Sequence, residues 1–276
     1  MGCSKVDDYS PQKPQTRFLS AMEGLSKQTF IAGDEIGIFP VGYVNGEPGT
    51  LGDISNPMNI KLTYDGIYWN LEEEGFVLED GLYDIYAYYP YDNDLRSSSD
   101  KLNLSAYPFS ISGKQEAKTV DFLWSKVSGV SGNQGTVLFD FWHLFARFEI
   151  HLEYDIHPVS GPDLRIHNTR TDCTINLHNR TITSLNKKEV IIPTTLQENV
   201  PDCDYSFEAI IIPQEVAAGT PLFTLNYQDN VVEFVLEQDV TFNPSNSYTF
   251  RLEMSTVSGR TGKYQVSVMP IMKEIR

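Results

Sequence analysis

Cysteine is scarce here, with three in 276 residues, at positions 3, 173 and 203. No two have the close spacing of a zinc ribbon or a Cys-x-x-Cys redox pair, so both classes are set aside. Cys173 and Cys203 could pair in an oxidising compartment or could be two small buried thiols, and spacing leaves both open. Histidine is nearly as rare, with five at 143, 151, 157, 167 and 178. They form no ligand spacing with acids on one evident face. A Gly-rich phosphate loop, a nucleophile elbow and a His-Glu-x-x-His helix are all missing, which removes the commonest signatures of nucleotide, acyl-transfer and metalloprotease chemistry. No run reaches the roughly 18 consecutive apolar residues of a membrane-spanning helix. Basic residues are outnumbered, 21 against 37, for a formal charge of -16. That balance disfavours nucleic acid and anionic lipid surfaces as partners. There is no internal repeat, and nowhere a capped amphipathic helix of three turns.

What is abundant is aromatic and β-branched, with 15 Tyr and 15 Phe among the residues. Such side chains suit a pleated, half-buried surface. Short candidate strands recur about every 8 to 12 residues, the spacing of β-sandwiches and barrels. Ile60 to Tyr64 and Gly66 to Leu71 read as a hairpin about Asp65-Gly66, a strong turn dipeptide. Phe18 to Leu25 and Ile36 to Phe39 are shorter candidates, 42 to 57 reads as a loop, and Leu82 to Tyr91, Leu102 to Ile111 and Val120 to Trp124 complete a first unit. Ser128 to Gly135 reads as its linker to a second. There, Ser206 to Ile212 is a buried strand and Leu222 to Tyr227 with Val231 to Leu236 a hairpin. The last alternating strands surround Tyr248 to Met254 and Tyr264 to Val268.

The stretch around which this is organised runs from Val137 to Tyr154. Its even positions are apolar almost throughout (Leu138, Trp142, Leu144, Ala146, Phe148, Ile150, Leu152, Tyr154). Its odd positions are apolar up to Phe145 and charged or polar after it. Two apolar faces predict a first half covered on both sides; alternation predicts a half-exposed second half. Eighteen residues exceed an ordinary strand, so a bend is expected between His143 and Ala146. The chain then divides into a tether over 1–17, a first β domain over 18–134 and a second over 135–276.

Candidate chemistry is thin. His143, inside an aromatic run, reads as a satisfied core histidine. The tyrosines of Tyr83 to Tyr91 offer flat rings with polar tips, a possible sugar platform, though packing is their commoner use. Among 37 acids no pair stands out as the two carboxylates of a glycosidase. Neither a metal nor a cofactor site is nominated. Cys3 follows Met-Gly and precedes Ser4 and a polar tether containing Pro11 and Pro14. This reads as a mature bacterial lipoprotein in which Met-Gly replaces the signal peptide, with Cys3 carrying the lipid. The myristoylation alternative fails at Val6, where Ser or Thr is required.

Five segments taken in order resemble the fimbrillin-like (Mfa-like) family, which supplies subunits of type V pili. They are Phe30-Ile-Ala-Gly-Asp-Glu-Ile-Gly-Ile-Phe39; Ala87-Tyr-Tyr-Pro-Tyr91; Asp121-Phe-Leu-Trp124; Phe141-Trp-His143 with Ala146-Arg147; and Ile212-Pro-Gln214 with Phe242-Asn-Pro-Ser-Asn-Ser-Tyr248. The resemblance implies an all-β chain of two tandem transthyretin-like β-sandwich domains and no enzymatic activity. It also implies lipid attachment to the outer membrane, palmitate included, a place in the fimbrium, and assembly with other pilus subunits by strand exchange. A host or bacterial surface ligand is a further implied partner. The strand expected to leave is Phe18 to Leu25; the expected donor is the end beginning at Tyr264, with Tyr264, Val266, Val268 and Ile271 as its apolar positions. Family members are cut by an arginine-specific protease after their first strand. This chain has Arg17 before that strand and Lys27 after it, and both are candidate processing points. A glycan-binding surface lipoprotein of a polysaccharide-uptake system is the alternative.

Overall fold

In a computed structural model the seam is two strands, Thr136–His143 and Ala146–Tyr154, separated by Leu144 and Phe145. The structure describes residues 16–22, 30–52, 59–71, 78–97, 104–154, 161–196, 200–201, 203–227, 230–256 and 264–273. The break falls where the bend was expected, and the buried side of the chain changes across it. Before it the odd residues Val137, Phe139, Phe141 and His143 are buried; after it the even residues Ala146, Phe148, Ile150 and Leu152 are. Coverage on both faces of the first half is therefore a reading to correct. Leu138 and Trp142 remain 53% and 37% exposed. One strand cannot serve two cores without exchanging faces, because side chains alternate strictly along it. Two residues in an irregular step supply the exchange.

The core of the first unit is enclosed by a sheet whose strand order returns on itself. Glu35–Val44 bonds to Ile60–Tyr64 on one side and to Leu82–Tyr89 on the other. Between those two run Trp69–Leu71, Arg17–Met22, Thr136–His143 and Leu123–Ser131. Phe18, Ile36, Ile38, Leu62, Trp69, Phe139 and Phe141 fill the interior. Glu35–Val44 is longer than the four residues expected, and it takes in the start of the expected loop. Leu123–Ser131 likewise extends through the first half of the expected linker. Glycine is needed at Gly37, whose added Cβ would collide with the Tyr88 ring and Asn59 Oδ1. The hairpin forms about Asp65, but its second strand starts at Trp69 and not Gly66, because the Asp65 carboxylate accepts from the amides of Ile67 and Tyr68 at 2.8 and 2.7 Å and holds 65–68 as the loop.

The second unit carries two five-stranded sheets. One has the order Thr194–Thr195, Tyr205–Ile211, Ala146–Tyr154, Ser247–Thr256, Tyr264–Lys273; the other Asn230–Val235, Pro221–Tyr227, Asp163–Ile166, Ile191–Ile192, Gly113–Lys114. Their facing rings interlock, with Phe250 at 6.2 Å from Phe223 and 5.7 Å from Phe234. Strands from ahead of residue 134 take part. Gly113–Lys114 joins the second sheet, and Tyr107–Ser110 pairs with Asp172–Asn176. Among the described residues helix is confined to two single turns, Asp94–Ser97 and Ala117–Val120. Two further contacts tie the hairpin tip of the second unit to the outer face of the first. Trp124 Nε1 donates to the Leu177 carbonyl at 2.8 Å, and the Arg180 guanidinium lies 4.5 Å over Trp142.

The change of face sets a mutational contrast. Phe139→Ala should cost about 3–5 kcal/mol and Leu138→Ala, on the wet side of the same strand, about 1 kcal/mol or less. Chemical denaturation of both variants measures it.

Candidate functional site

The first strand, Arg17–Met22, is held unequally on its two sides. Along Thr136–Phe141 it runs parallel with a ladder of six register pairs, from Arg17 opposite Thr136 to Met22 opposite Phe141. Toward Trp69–Leu71 it has one bridge, Phe18 opposite Trp69. Its inward anchor is Phe18, 1% exposed, which lies parallel to Phe139 with centroids 5.7 Å apart. Leu19 faces the other way beside exposed Leu138, as alternation requires. A cavity of about 590 Å³ opens beside the bridge, lined by Arg17, Phe18, Tyr68, Trp69 and Leu71 among others.

Both flanks of this seat are built locally. The Arg17 amide donates to the Gly135 carbonyl at 3.1 Å, and its guanidinium stands 5.4 Å over the Tyr68 ring. Tyr68 and Trp69 are delivered by the Asp65 turn. Hydrogen bonds from the amide of Tyr68, the side chain of Asn70 and the amide of Ile67 hold the Asp65 carboxyl below the usual range. Trp69 is 2% exposed. Phe30 meets its ring edge-on at 4.8 Å and Tyr64 lies at 4.9 Å. Its indole N–H has no hydrogen-bond partner among the described residues.

Of the residues singled out from sequence, Arg17 lies at this seat, exposed, as the first residue of the strand. Cys3 and Lys27 lie outside the described residues. Tyr264, Val266, Val268 and Ile271 belong to Tyr264–Lys273, an outer strand of the second unit, opposite Thr256, Met254, Leu252 and Thr249. The first three share a phase and Ile271 is out of step with them. The structure therefore does not bring the donor candidates to Arg17 within one chain. Sequence reasoning passed over Trp69 and Phe139 as the walls of the seat. Trp69 carried a usable signal, a large ring directly after a strong turn.

The other polar and reactive groups singled out lie mostly in or against the cores. His143 Nδ1 and Asp121 Oδ2 are 2.7 Å apart at 1% and 2% exposure, so the core reading of His143 holds. Ser125, fully buried nearby in sequence, completes the residue types of a hydrolytic triad. Its Oγ and His143 Nε2 nevertheless have no hydrogen-bond partner, each other included. Of the tyrosines from Tyr83 to Tyr91, Tyr88 and Tyr89 are buried, at 1% and 8% exposure, and Tyr83, Tyr86 and Tyr91 are half-buried. Cys173 and Cys203 are not joined in a disulfide, and burial raises the Cys173 thiol to about 12. Among the described residues no three His, Cys, Asp or Glu converge as metal ligands.

A family model described as fimbrillin-like matches residues 22–268. A proposed cell adhesion protein of Bacteroides uniformis superposes with a TM-score of 0.66 at 18% identity, over 95% of this chain and 99% of that one. One from Bacteroides ovatus gives 0.69 at 14%, over 95% and 98%. A fimbrial protein of Bacteroides vulgatus gives 0.51 at 12%, over 94% and 99%. These are likenesses of fold. No curated protein matches the sequence.

Two predictions follow from the seat. Proteases bind extended backbone, whereas the Arg17–Phe18 bond lies within a sheet ladder, so trypsin should cut it only when the strand opens. Phe18→Ala should speed that cut at least about tenfold, because a buried phenylalanine is worth roughly 3–5 kcal/mol, and leave the cut after exposed Lys188 unchanged. Asp65 is an acid depressed in the folded state, so its contribution is present above the ordinary carboxylate value and lost as pH falls through the folded one. Asp65→Asn should therefore lessen the acid-side loss of stability, read by thermal unfolding from pH 6 downward.

Proposed function

The chain belongs to the fimbrillin-like family, and from that premise we propose that it is a non-enzymatic subunit of a surface fimbrium joined to its neighbours by exchange of the first strand. The observation that carries this reading is the asymmetric hold on Arg17–Met22. A strand bridged once on one side, yet anchored by a buried phenylalanine, leaves an apolar slot with unpaired backbone when it departs. Exposed strand edges are templates for another chain. An extended segment entering the slot gains ladder hydrogen bonds from backbone and selectivity from alternate side chains. Tyr264–Lys273 suits the donor role, being ten residues long and bonded to one neighbour, Ser247–Thr256. Cys3 would carry a lipid to the outer membrane, and cleavage at Arg17 would separate that tether from the folded body.

The supporting chemistry is otherwise that of a building block. The buried polar groups described above serve packing, and the formal net charge of -16 favours neither nucleic acid nor anionic lipid. The test is to treat the purified full chain with arginine- and lysine-specific proteases and follow its size by light scattering. Oligomers that form only after cleavage, with the first strand lost or displaced in the cut species, are expected. A trimmed chain that stays monomeric at high concentration would contradict the exchange reading.

A further inference from the structure

Trp69 presents a problem that the isolated chain does not solve. It is 2% exposed, and its indole N–H finds no acceptor among the described residues. Buried donors are nearly always satisfied, because leaving water without a replacement partner is costly. The side chain directly opposite is Phe18, which has no acceptor to offer. Residues opposite one another in an antiparallel pair lie on one face with Cβ atoms about 4.5–5.5 Å apart. Both rings also line the 590 Å³ cavity beside the bridge. An oxygen added to the ring at position 18 would be carried on the same face as Trp69, beside the cavity that both residues line.

We propose that the Phe18 seat selects a tyrosine from an incoming strand, whose hydroxyl accepts the hydrogen bond from Trp69 Nε1 that Phe18 cannot. This rests on the strand-exchange reading and names what the slot recognises. The occupant is Tyr264 of a second copy, its strand running parallel to Thr136–His143 as the native first strand does. Tyr264 is the only aromatic residue in Tyr264–Lys273. With it in the seat, Val266 falls at the position now held by Ser20, and Val268 takes the register place of Met22 opposite Phe141. Ser20 is half-buried, which leaves space for a valine there. The tyrosine keeps the ring that stacks on Phe139 and adds the one group the native strand lacks. Phe18 is then a placeholder: good enough to close the fold, and short of one hydrogen bond.

The test uses the full chain with Phe18→Ala and Leu19→Pro together, which unseat the first strand, and labelled synthetic peptides. Four peptides are compared: residues 264–273, the same with Tyr264→Phe, the same with Tyr264→Ala, and native residues 17–22. Fluorescence anisotropy should show the tyrosine peptide binding about fivefold tighter than its phenylalanine form, the worth of one net hydrogen bond. The alanine form should be weaker by a further factor of at least about ten. With Trp69→Phe added, the gap between tyrosine and phenylalanine peptides should close while both still bind. Equal binding of the two, or a gap that survives Trp69→Phe, overturns the proposal. Binding of the native peptide alone overturns it and leaves strand exchange standing; binding of none overturns both. If the doubly substituted chain does not fold alone, the same comparison is made by recovery of far-UV circular dichroism on refolding with each peptide in excess.

Discussion

Everything in the first unit depends on satisfying backbone at the edge of an apolar interior. Thr136–His143 presents its donors and acceptors beside a space filled by Phe139, Phe141 and Trp69. Left open, that edge would bring water to the core or a foreign strand to the edge. Arg17–Met22 closes it, using six residues of parallel ladder and one buried ring. The closure is strong where Phe18 meets Phe139 and slight where a single bridge meets Trp69. A fold closed by a short segment with a single bridge on one side is, under the strand-exchange proposal, one that an equivalent segment from elsewhere would close. That is the physical bridge from this architecture to a role in assembly.

The seam carries the second constraint. By exchanging its buried face at Leu144-Phe145, one continuous stretch contributes to both cores. Main-chain bonds lock the step: the Leu144 amide donates to the Phe122 carbonyl at 2.9 Å and the Ser245 amide to the Phe145 carbonyl at 3.0 Å. Arg147, 5% exposed, follows at once between Glu149 and Glu208 at 3.0 and 2.6 Å. Burial raises the Glu208 carboxyl above its usual range against the pull of that guanidinium. Gln115 adds a reciprocal pair with the Ile210 backbone, donating at 2.9 Å and accepting at 2.7 Å. The two units are thus joined by strands, side chains and a shared core (Phe122, Trp124 and Leu144 with Phe148 and Ile211) rather than by a single linker.

Much of this was legible in the residues. Asp65-Gly66 announced its hairpin because turn chemistry is local, and the bend near His143 followed from strand length. The alternation of the second half of the seam also read correctly. What failed was nonlocal. The short strand read from Ile36 to Phe39 is in fact Glu35–Val44, which passes through Pro40. Pairing with Ile60–Tyr64 has already ended at Ile38, so Pro40 needs a partner on one side only, opposite Ile85. Leu138 and Trp142 read as core because they are large and apolar. Their partners are instead half-buried Leu19 across the ladder and a stacked arginine, Arg180, from a distant turn. The seat itself was half visible. Its strand was found, but its walls are set by pairings that no local pattern encodes.

The central claim is that the first strand is the most easily opened part of the first unit and that its neighbours outlast it. Native-state hydrogen exchange under increasing denaturant measures this residue by residue. The account predicts that amides of Arg17–Met22, and those of Thr136–Phe141 bonded to them, exchange through a partial opening of distinctly lower free energy than those shared by Leu82–Tyr89 and Leu123–Ser131. If all of these amides exchange together, only at the free energy of global unfolding, the first strand is an integral part of the fold and the account fails.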